Sequence, residues 1–544
     1  MKNKMQEYDI DTAVLELQDD FSETALHFAL KATSSLLSNL YAINYIVPKL
    51  IDEKQHVLLT RNRRDMLPPD DEYSGFQRDT PLHMALAMEL SVSTLELLID
   101  DKQEVLVQVN GFGTADVEAE DTPMHLAIKT HRAIDVIKLM MDTDSKVMLC
   151  KNNLKDTPLY CALRHSKNSD LKDSVNCEKV LSYLIKKCKT LGPDYFMIEG
   201  YGTTTPLYFA IELDAPMYVI KMLVQCDVRQ ILHVVKFSDS EDPEDSNFKF
   251  NGTPLHQEIN GQCRLDVIKL IVNACGEVLQ KKSYEGLTPL HFAVKRKRPF
   301  HIIEYLASKD SSVLLVDTKY EWDNDEESDG GTPLVIGISV CLPVNILKLL
   351  VDADLKVFTI RTDDGNYLNP MHYLLKTLNC TVAYAITVME FLVPYCTLVS
   401  PDMRLALLYS DYSSPLDIYL TCQPRFPELL DYLIDEDEQV LKITNVHNEY
   451  PLFTALKHKM PYEVLSKLLP DKYLLQILGL KNIGPHHGTY LHYIAEHYTD
   501  IRVFKMLTTP GIIALDSPDR RGMTALHIAR IQIQTPDILQ LLSS

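Results

Sequence analysis

The chain has 544 residues, 46% of them apolar, only 19 glycines and a formal net charge of −21. A chain this long exceeds what one compact core usually supports, so we expect either several domains or one extended repeat array. The composition excludes a disordered linker. The negative charge disfavours nucleic acid. It is typical of a well-solvated surface, and a basic protein partner is the alternative that it would favour.

Cysteine usage and the N-terminus predict the compartment. None of the eleven cysteines forms a Cys-x-x-Cys pair, and several, such as Cys226 and Cys275, lie in apolar helical runs. This pattern is typical of buried free thiols in a reducing compartment. The first residues lack the apolar stretch of a secretory signal. We therefore expect a soluble protein of the cytoplasm or the nucleus.

One short opening recurs along the chain. In its copy at Thr288 the threonine is a candidate N-cap, and Pro289 suits the first helical position, where a missing N–H costs nothing. An apolar helical face follows, Pro299 ends the helix, and a second apolar run predicts a second helix. The openings begin at Thr24, Thr80, Thr122, Thr157, Thr205, Thr253, Thr288, Thr332, Asn369, Ser414, Tyr450, Thr489 and Thr524.

The spacing and the sequence of these openings resemble those of the ankyrin-repeat family. Several successive openings are 35 residues apart, as from Thr122 to Thr157. The motif Thr-Pro-Leu-His-x-Ala is the hallmark of that family. The resemblance implies an all-α solenoid of stacked antiparallel helix pairs with finger loops, several enlarged by insertions. It also implies that the motif threonines and histidines bridge neighbouring backbone loops. These structural residues are Thr80, His83, Thr122, His125, Thr253, His256, Thr288, His291, Thr524 and His527.

The repeats predict one continuous solenoid with four segments. We expect a capping segment over residues 1–20, ankyrin repeats with acidic finger insertions over 21–364, divergent repeats over 365–490, and C-terminal repeats with a cap over 491–544. A polar outer face on the last repeat predicts a monomer. Its outward residues would be Gln532, Gln534, Asp537, Gln540, Ser543 and Ser544, with Ile538, Leu541 and Leu542 turned inward.

The run Pro333–Val351 is long and apolar enough to resemble a membrane span. Pro343 and Asn345 interrupt it, and the repeat pattern accounts for it as two buried helices joined by a turn. We therefore expect no membrane segment.

The insertions before Thr80, Thr253 and Thr332 should enlarge the fingers, which often form the binding face of repeat proteins. The chain's single tryptophan, Trp322, lies in the insertion before Thr332 among carboxylates. Tryptophan and tyrosine are over-represented at binding hot spots, and acids steer basic partners. Packing of Trp322 within the chain is the alternative. The candidate partner-binding residues are Tyr320, Trp322, Asp323, Asp325, Glu326, Glu327 and Asp329.

The same acidic insertion has some features of a calcium loop. Counted from Asp325, the residues Glu327, Asp329 and Gly330 fit, but position twelve is Ile336 instead of glutamate. We expect a solvated acidic loop.

Other charged clusters have structural explanations. The basic residues 295–298 resemble a nuclear import signal, but they fall at a helix end, where cations are expected. The histidines His486, His487, His492 and His497 lack the spacing of a metal site. We expect no metal and no cofactor.

No nucleophile elbow, phosphate-binding loop or kinase motif occurs. The sequence therefore predicts a non-enzymatic interaction scaffold that binds a protein on its concave face of fingers and first helices. A secreted effector of an intracellular microbe and the regulatory arm of an enzyme complex stay as alternatives.

Overall fold

Each repeat begins with a short helix whose start is set by local sequence. The threonine before the helix has extended backbone, with φ of −74° at Thr80 and −76° at Thr288, and proline occupies the first turn. A proline there gives up no hydrogen bond, since the first N–H groups of a helix have no partner within it. Leu290, Ala293 and Val294 are buried on the resulting helix.

The turn between the two helices of a repeat adopts one conformation in several repeats, although not at Tyr498, which is extended with a φ of −121°. The central residue of the recurring turn has a positive φ, 51° at His131, 53° at Lys297 and 56° at Cys341, although none of these is glycine. The next residue donates its N–H to a carbonyl five residues back, as Arg132 does to Ala127 at 2.9 Å. The left-handed residue therefore ends the first helix and reverses the chain.

The second helix leads into a third, shorter element. The acid that follows it caps a 3-10 turn with its carboxylate: Asp144 accepts from the N–H of Lys146 at 2.9 Å, and Asp310 from that of Ser312 at 3.0 Å. The Val-Leu pair beyond the acid is buried, as at Val313 and Leu314. This element explains why the repeats are longer than usual and end without a glycine.

The structure is a computed structural model, and its contacts divide the chain into two compact units, Met1–Tyr284 and Glu285–Ser544. Among the described residues no β-strand occurs. The described residues are 80–99, 103–110, 121–166, 174–200, 204–235, 252–318, 331–358, 370–377, 381–399, 414–421, 427–434, 439–442, 444–445, 447–469, 487–508 and 515–543.

The first unit consists of helix pairs in chain order. Neighbouring first helices pack on one another, and so do neighbouring second helices. Its described helices are α1 (Pro81–Ala87), α2 (Val92–Ile99), α3 (Gln103–Leu106), α4 (Pro123–Lys129), α5 (Ile134–Thr143), a 3-10 helix (Ser145–Leu149), α6 (Pro158–His165), α7 (Ser174–Leu191), a 3-10 helix (Pro193–Met197), α8 (Pro206–Glu212), α9 (Met217–Cys226), α10 (Arg229–Leu232), α11 (Pro254–Asn260), α12 (Leu265–Ala274) and a 3-10 helix (Gly276–Gln280).

The second unit repeats this plan. Its described helices are α13 (Pro289–Lys295), α14 (Phe300–Lys309), a 3-10 helix (Ser311–Leu315), α15 (Pro333–Ser339), α16 (Val344–Ala353), a 3-10 helix (Leu355–Phe358), α17 (Pro370–Thr377), α18 (Val382–Val399), α19 (Pro415–Thr421), a 3-10 helix (Pro427–Leu429), α20 (Leu430–Leu433), a 3-10 helix (Gln439–Lys442), α21 (Pro451–Lys457), α22 (Tyr462–Lys467), α23 (Tyr490–His497), α24 (Ile501–Leu507), α25 (Ala525–Ile531) and α26 (Pro536–Ser543).

The apolar run Pro333–Val351 lies in this second unit. It forms α15 and most of α16 with the left-handed residue Cys341 between them, as predicted. Within the described part of the chain, no helix has the length and apolar character needed to cross a bilayer.

Side chains at the hairpin turns connect neighbouring repeats through backbone carbonyls. Arg264 donates to the carbonyl of Ala215 at 3.0 Å, and Tyr384 to that of Leu342 at 2.7 Å. The carbonyl lies in each case at the equivalent turn of the preceding repeat. These bonds satisfy buried backbone groups that the helices leave unpaired.

Two sequence predictions about burial are wrong. Cys226 and Cys275 are free thiols but only half-buried, because each lies where its helix ends and the packed face stops. Gln534 is buried, not on the outer face of the last repeat: its amide donates to the carbonyls of Ala495 and Tyr498 at 3.2 and 2.7 Å. Gln534 thus makes the contact between the turns of two neighbouring repeats. The spacing of apolar and polar residues in the helices does not reveal such a contact.

Candidate interaction surface

The motif threonine and histidine form a buried hydrogen-bonded pair that reaches the next repeat. In the Thr122 repeat the hydroxyl lies 2.8 Å from Nδ1 of His125, whose Nε2 lies 2.9 Å from the carbonyl of Asp156. A carbonyl only accepts, so Nε2 carries the proton and Nδ1 accepts from the hydroxyl. Burial lowers the pKa of His125, which keeps this neutral tautomer. The histidine therefore joins two repeats rather than facing a cleft.

The other motif pairs have the same internal geometry. The hydroxyl-to-Nδ1 distances run from 2.6 to 3.0 Å in the repeats at Thr80, Thr253, Thr288 and Thr524. Among these, the Thr524 pair is the exposed one. The onward contacts are His83 to the carbonyl of Asp121 at 3.1 Å, His291 to that of Val316 at 3.0 Å and His492 to that of Met523 at 2.9 Å.

A tyrosine can take the place of the motif histidine. The hydroxyl of Tyr160 donates toward the carbonyls of Ile198, at 3.0 Å, and Thr204. Thr204 lies directly before the next opening, as Asp121 and Asp156 do, so the longer phenol reaches the equivalent backbone group. The repeat contact thus depends on a donor at this place rather than on an imidazole.

Several fingers close on the residue before the helix opening. In short fingers the N–H of Asn152 donates to the carbonyl of Asp156 at 3.0 Å, and that of Asp519 to Met523 at 2.8 Å. In a finger with an insertion, Val235 donates to Gly252 at 3.0 Å. We call the two residues joined by this bond the stem of the finger. Insertions therefore enlarge the fingers beyond a common stem, as the sequence predicted.

Buried acids at these stems pair with a cation at the end of the first helix. Asp121 lies 2.5 Å from Lys129, and Asp156 lies 3.0 Å from Arg164. The two carboxylates are almost fully buried, so each needs its cation. Sequence reasoning missed these pairs, although an acid before the motif and a base eight positions later was a visible signal.

The predicted partner-binding residues Tyr320, Trp322 and 323–329 lie outside the described residues. The stem that carries them is described: Thr318 and Gly331 form an antiparallel bridge, with the N–H of Gly331 donating to Thr318 at 3.0 Å. The calcium-loop candidates from Asp325 to Gly330 lie outside the described residues as well.

The second unit also presents an aromatic cluster on first helices. The ring of Tyr493 on α23 lies 5.1 Å from Phe453 on α21 and 4.5 Å from His497. Tyr493 is half-buried and His497 exposed. Burial and the nearby Glu449 and Glu496 raise the pKa of Tyr493, so its hydroxyl stays a donor. Such a half-exposed aromatic group has the chemistry of an interface anchor.

The remaining charged clusters are placed as follows. Lys295 ends α13 and lies 3.6 Å from Glu285, while Arg296 lies over the ring of Phe292, 5.3 Å from its centroid. His492 is engaged in its motif contact. Within the described ranges no group of three metal-ligating side chains occurs, and His486 lies outside them.

Paired helices, finger stems and Thr–His contacts between adjacent repeats together define the class: the described residues have the ankyrin-repeat fold. No family model matches the chain, and no curated protein matches it. The chain is similar to the solved ankyrin repeat domain of Bcl-3, described as a unique member of the IκB protein family, at 20% identity and a TM-score of 0.35, over 50% of this chain and 98% of that one.

The chain is also similar to a solved chain from the complex of the Bd0816 predatory endopeptidase of Bdellovibrio bacteriovorus with the immunity protein Bd3460. The identity is 18% and the TM-score 0.29, over 42% of this chain and 97% of that one.

Proposed function

We propose that this protein is an interaction scaffold that binds a protein partner through its fingers and first helices. The observation that supports it most is the common stem: fingers of very different length close on the residue before the helix opening. Beyond such a stem, loop sequence can change without disturbing the packed helices, which is how repeat proteins acquire binding surfaces.

The finger between Thr318 and Gly331 is the proposed contact region. It carries Tyr320, Trp322 and the acids Asp323, Asp325, Glu326, Glu327 and Asp329. The aromatic residues would bury area against the partner, and the acids would attract a basic surface to it. We propose that the scaffold works as a monomer in the cytoplasm or nucleus, without a cofactor and without catalysis.

The proposal is tested with a partner captured by the intact chain and then purified. Trp322→Ala should weaken binding by at least about 2 kcal/mol while the melting temperature stays unchanged. Neutralising the acids, as Asp323→Asn with Asp325→Asn, should slow association more than it speeds dissociation, and added salt should act in the same direction.

The matched control is Tyr493→Ala, which removes the half-buried aromatic of α23 in the same unit. If Tyr493→Ala abolishes binding and Trp322→Ala does not, the partner binds the first-helix face instead of this finger. If Trp322→Ala loses binding only in step with lost stability, Trp322 supports the loop and is not a contact.

A further inference from the structure

A small cavity lies in the first unit where the turn after α4 meets the beginning of α7. It is lined by the apolar side chains of Ile128, Ala162 and Val180 together with polar ones, and it has a volume of about 20 Å³, which is enough for one water-sized molecule. The residues that matter chemically are His131, Arg132, His165 and Cys177. None of them belongs to the Thr–His motif or to a finger.

Backbone and side-chain contacts fix Cys177 against His131. The thiol sulfur lies 3.2 Å from Nδ1 of His131, within hydrogen-bond distance for sulfur. The preceding residue, Asn176, donates its amide to the carbonyls of both His131 and Arg132 at 3.0 Å. The left-handed φ of 51° at His131 directs the turn toward α7. The pair is therefore held by the repeat-to-repeat contact itself.

The cavity also offers an acceptor to a guest molecule and has a cation beside it. Arg132 lines the cavity, and one of its Nη atoms donates to the carbonyl of Leu90. His165 uses Nδ1 to donate to the carbonyl of Cys161 at 2.9 Å, which leaves Nε2 as an acceptor. Burial lowers the pKa of His165, so this ring is neutral. A small neutral molecule that has a proton to donate to Nε2 fits these groups.

We propose that Cys177 is a modification site that reacts with hydrogen peroxide, with His131 as its base. His131 takes the thiol proton, and the thiolate sulfur attacks one peroxide oxygen. The S–O bond forms as the O–O bond breaks, and the leaving hydroxide takes the proton from His131 to become water. Cys177 is oxidised by two electrons to a sulfenic acid and the peroxide is reduced. The guanidinium of Arg132, which lines the cavity, stabilises the negative charge on the departing oxygen.

Cys161 also lies near an imidazole, 3.8 Å from Nδ1 of His165, but that nitrogen donates to a carbonyl and cannot take the thiol proton. Burial raises the pKa of Cys161 and Cys188, and it also raises the pKa of the half-buried Cys150 and Cys226. These thiols stay protonated at neutral pH, and a thiol reacts far more slowly than a thiolate. Cys226 is half-buried like Cys177, so it is the matched internal control.

The experiment treats the full chain with hydrogen peroxide at neutral pH, traps sulfenic acid with dimedone and quantifies each cysteine by mass spectrometry. Cys177 should be labelled about tenfold faster than Cys226. His131→Asn keeps a residue that tolerates the left-handed backbone but removes the base, and it should lower the Cys177 rate about tenfold. His301→Asn, exposed on α14, should leave the rate unchanged. Cumene hydroperoxide, which is too large for the cavity, should lose the preference for Cys177.

Equal labelling of Cys177 and Cys226 in the unaltered chain would overturn the proposal, whether or not the variants fold. So would an unchanged Cys177 rate in His131→Asn at an unchanged melting temperature. If His131→Asn unfolds, Arg132→Gln replaces it, since glutamine removes the positive charge beside the cavity, and a rate equal to that of the unaltered chain then counts against the proposed role.

Discussion

Two fingers of the molecule are closed by different sets of hydrogen bonds. The short finger from Asn152 to Asp156 belongs to the network that joins repeats. The N–H of Asn152 donates to the carbonyl of Asp156, which also accepts from His125 of the preceding repeat. The side chain of Asn152 accepts from the N–H of Asp156 and donates to the carboxylate of Asp121, both at 3.0 Å. Arg164 neutralises Asp156.

The long finger from Thr318 to Gly331 closes by itself. Its two stem residues pair with each other, and the hydroxyl of Thr318 donates to the carbonyl of Gly331 at 3.0 Å. The motif histidine of the repeat, His291, reaches Val316 instead of the residue before the opening. The comparison teaches that separate backbone groups for the stem and the motif contact are one way to accommodate an insertion. The finger from Asn110 to Asp121 instead keeps a shared group, since the carbonyl of Asp121 accepts from the N–H of Asn110 at 2.9 Å and from His83 at 3.1 Å.

The largest expected effect is at the short finger. Arg164→Met should lower the free energy of unfolding by about 3 kcal/mol, because it leaves the buried carboxylate of Asp156 without its cation. Chemical denaturation measures it. Lys138→Met is the control, since its partner Asp135 is exposed and the loss should be below about 0.5 kcal/mol. Equal losses in the two variants would show that Asp156 gains nothing from Arg164.

The motif contact beside the long finger should come next. His291→Ala should lower stability by about 1–3 kcal/mol, since the hydroxyl of Thr288 and the carbonyl of Val316 both lose a buried partner. Thermal unfolding measures it, with the exposed His301→Ala as control. An unchanged melting temperature together with lost partner binding would assign His291 to the binding site instead.

The closure of the long finger is tested at Gly331. Its φ is +139°, and an added Cβ would lie 2.8 Å from Cγ1 of Val335. Gly331→Ala should therefore destabilise the chain by about 1.5 kcal/mol. Gly276→Ala, which meets nothing within 4 Å, is the control. A Gly331→Ala variant as stable as Gly276→Ala would mean that the bridge does not hold this finger.

The smallest expected change in stability is at a turn between the two helices of a repeat. Lys297 has a φ of 53°, so Lys297→Gly should stabilise the chain by about 0.5–1 kcal/mol: relief of the left-handed strain exceeds the entropy that glycine loses. Lys295→Gly, inside α13, should instead destabilise it by up to about 1 kcal/mol. Loss of stability in both variants would indicate that the turn carries no strain.

Sequence predicted those parts of the fold that depend on local chemistry. The threonine and proline at 288 and 289 mark a helix start because the capping geometry needs only neighbouring residues. The run Pro333–Val351 was correctly divided because Pro343 falls just before α16. The same residues recur at the helix starts of many repeats, so each copy of the motif supported the interpretation of the others.

What sequence reasoning missed depends on groups distant in the chain. The burial of Gln534 follows from carbonyls 36 and 39 residues earlier, and the role of Tyr160 depends on how far a phenol extends toward Thr204. The pair of Cys177 and His131 is 46 residues apart. No short pattern contains both partners of such contacts. The residues proposed to bind a partner, centred on Trp322, lie outside the described residues and stay a proposal.

The finger stems allow a whole repeat to be removed or added as one unit. Removing residues 122–156 would place Thr157 directly after Asp121, which already accepts the bond from His83. Arg164 would then stand at the same spacing from Asp121 that Lys129 has now. The motif bond and the ion pair at the new junction would each keep both partners, while the carboxylate of Asp121 would lose the amide of Asn152. Unequal crossing-over at the coding positions of the stems would therefore lengthen or shorten the array with these two contacts retained.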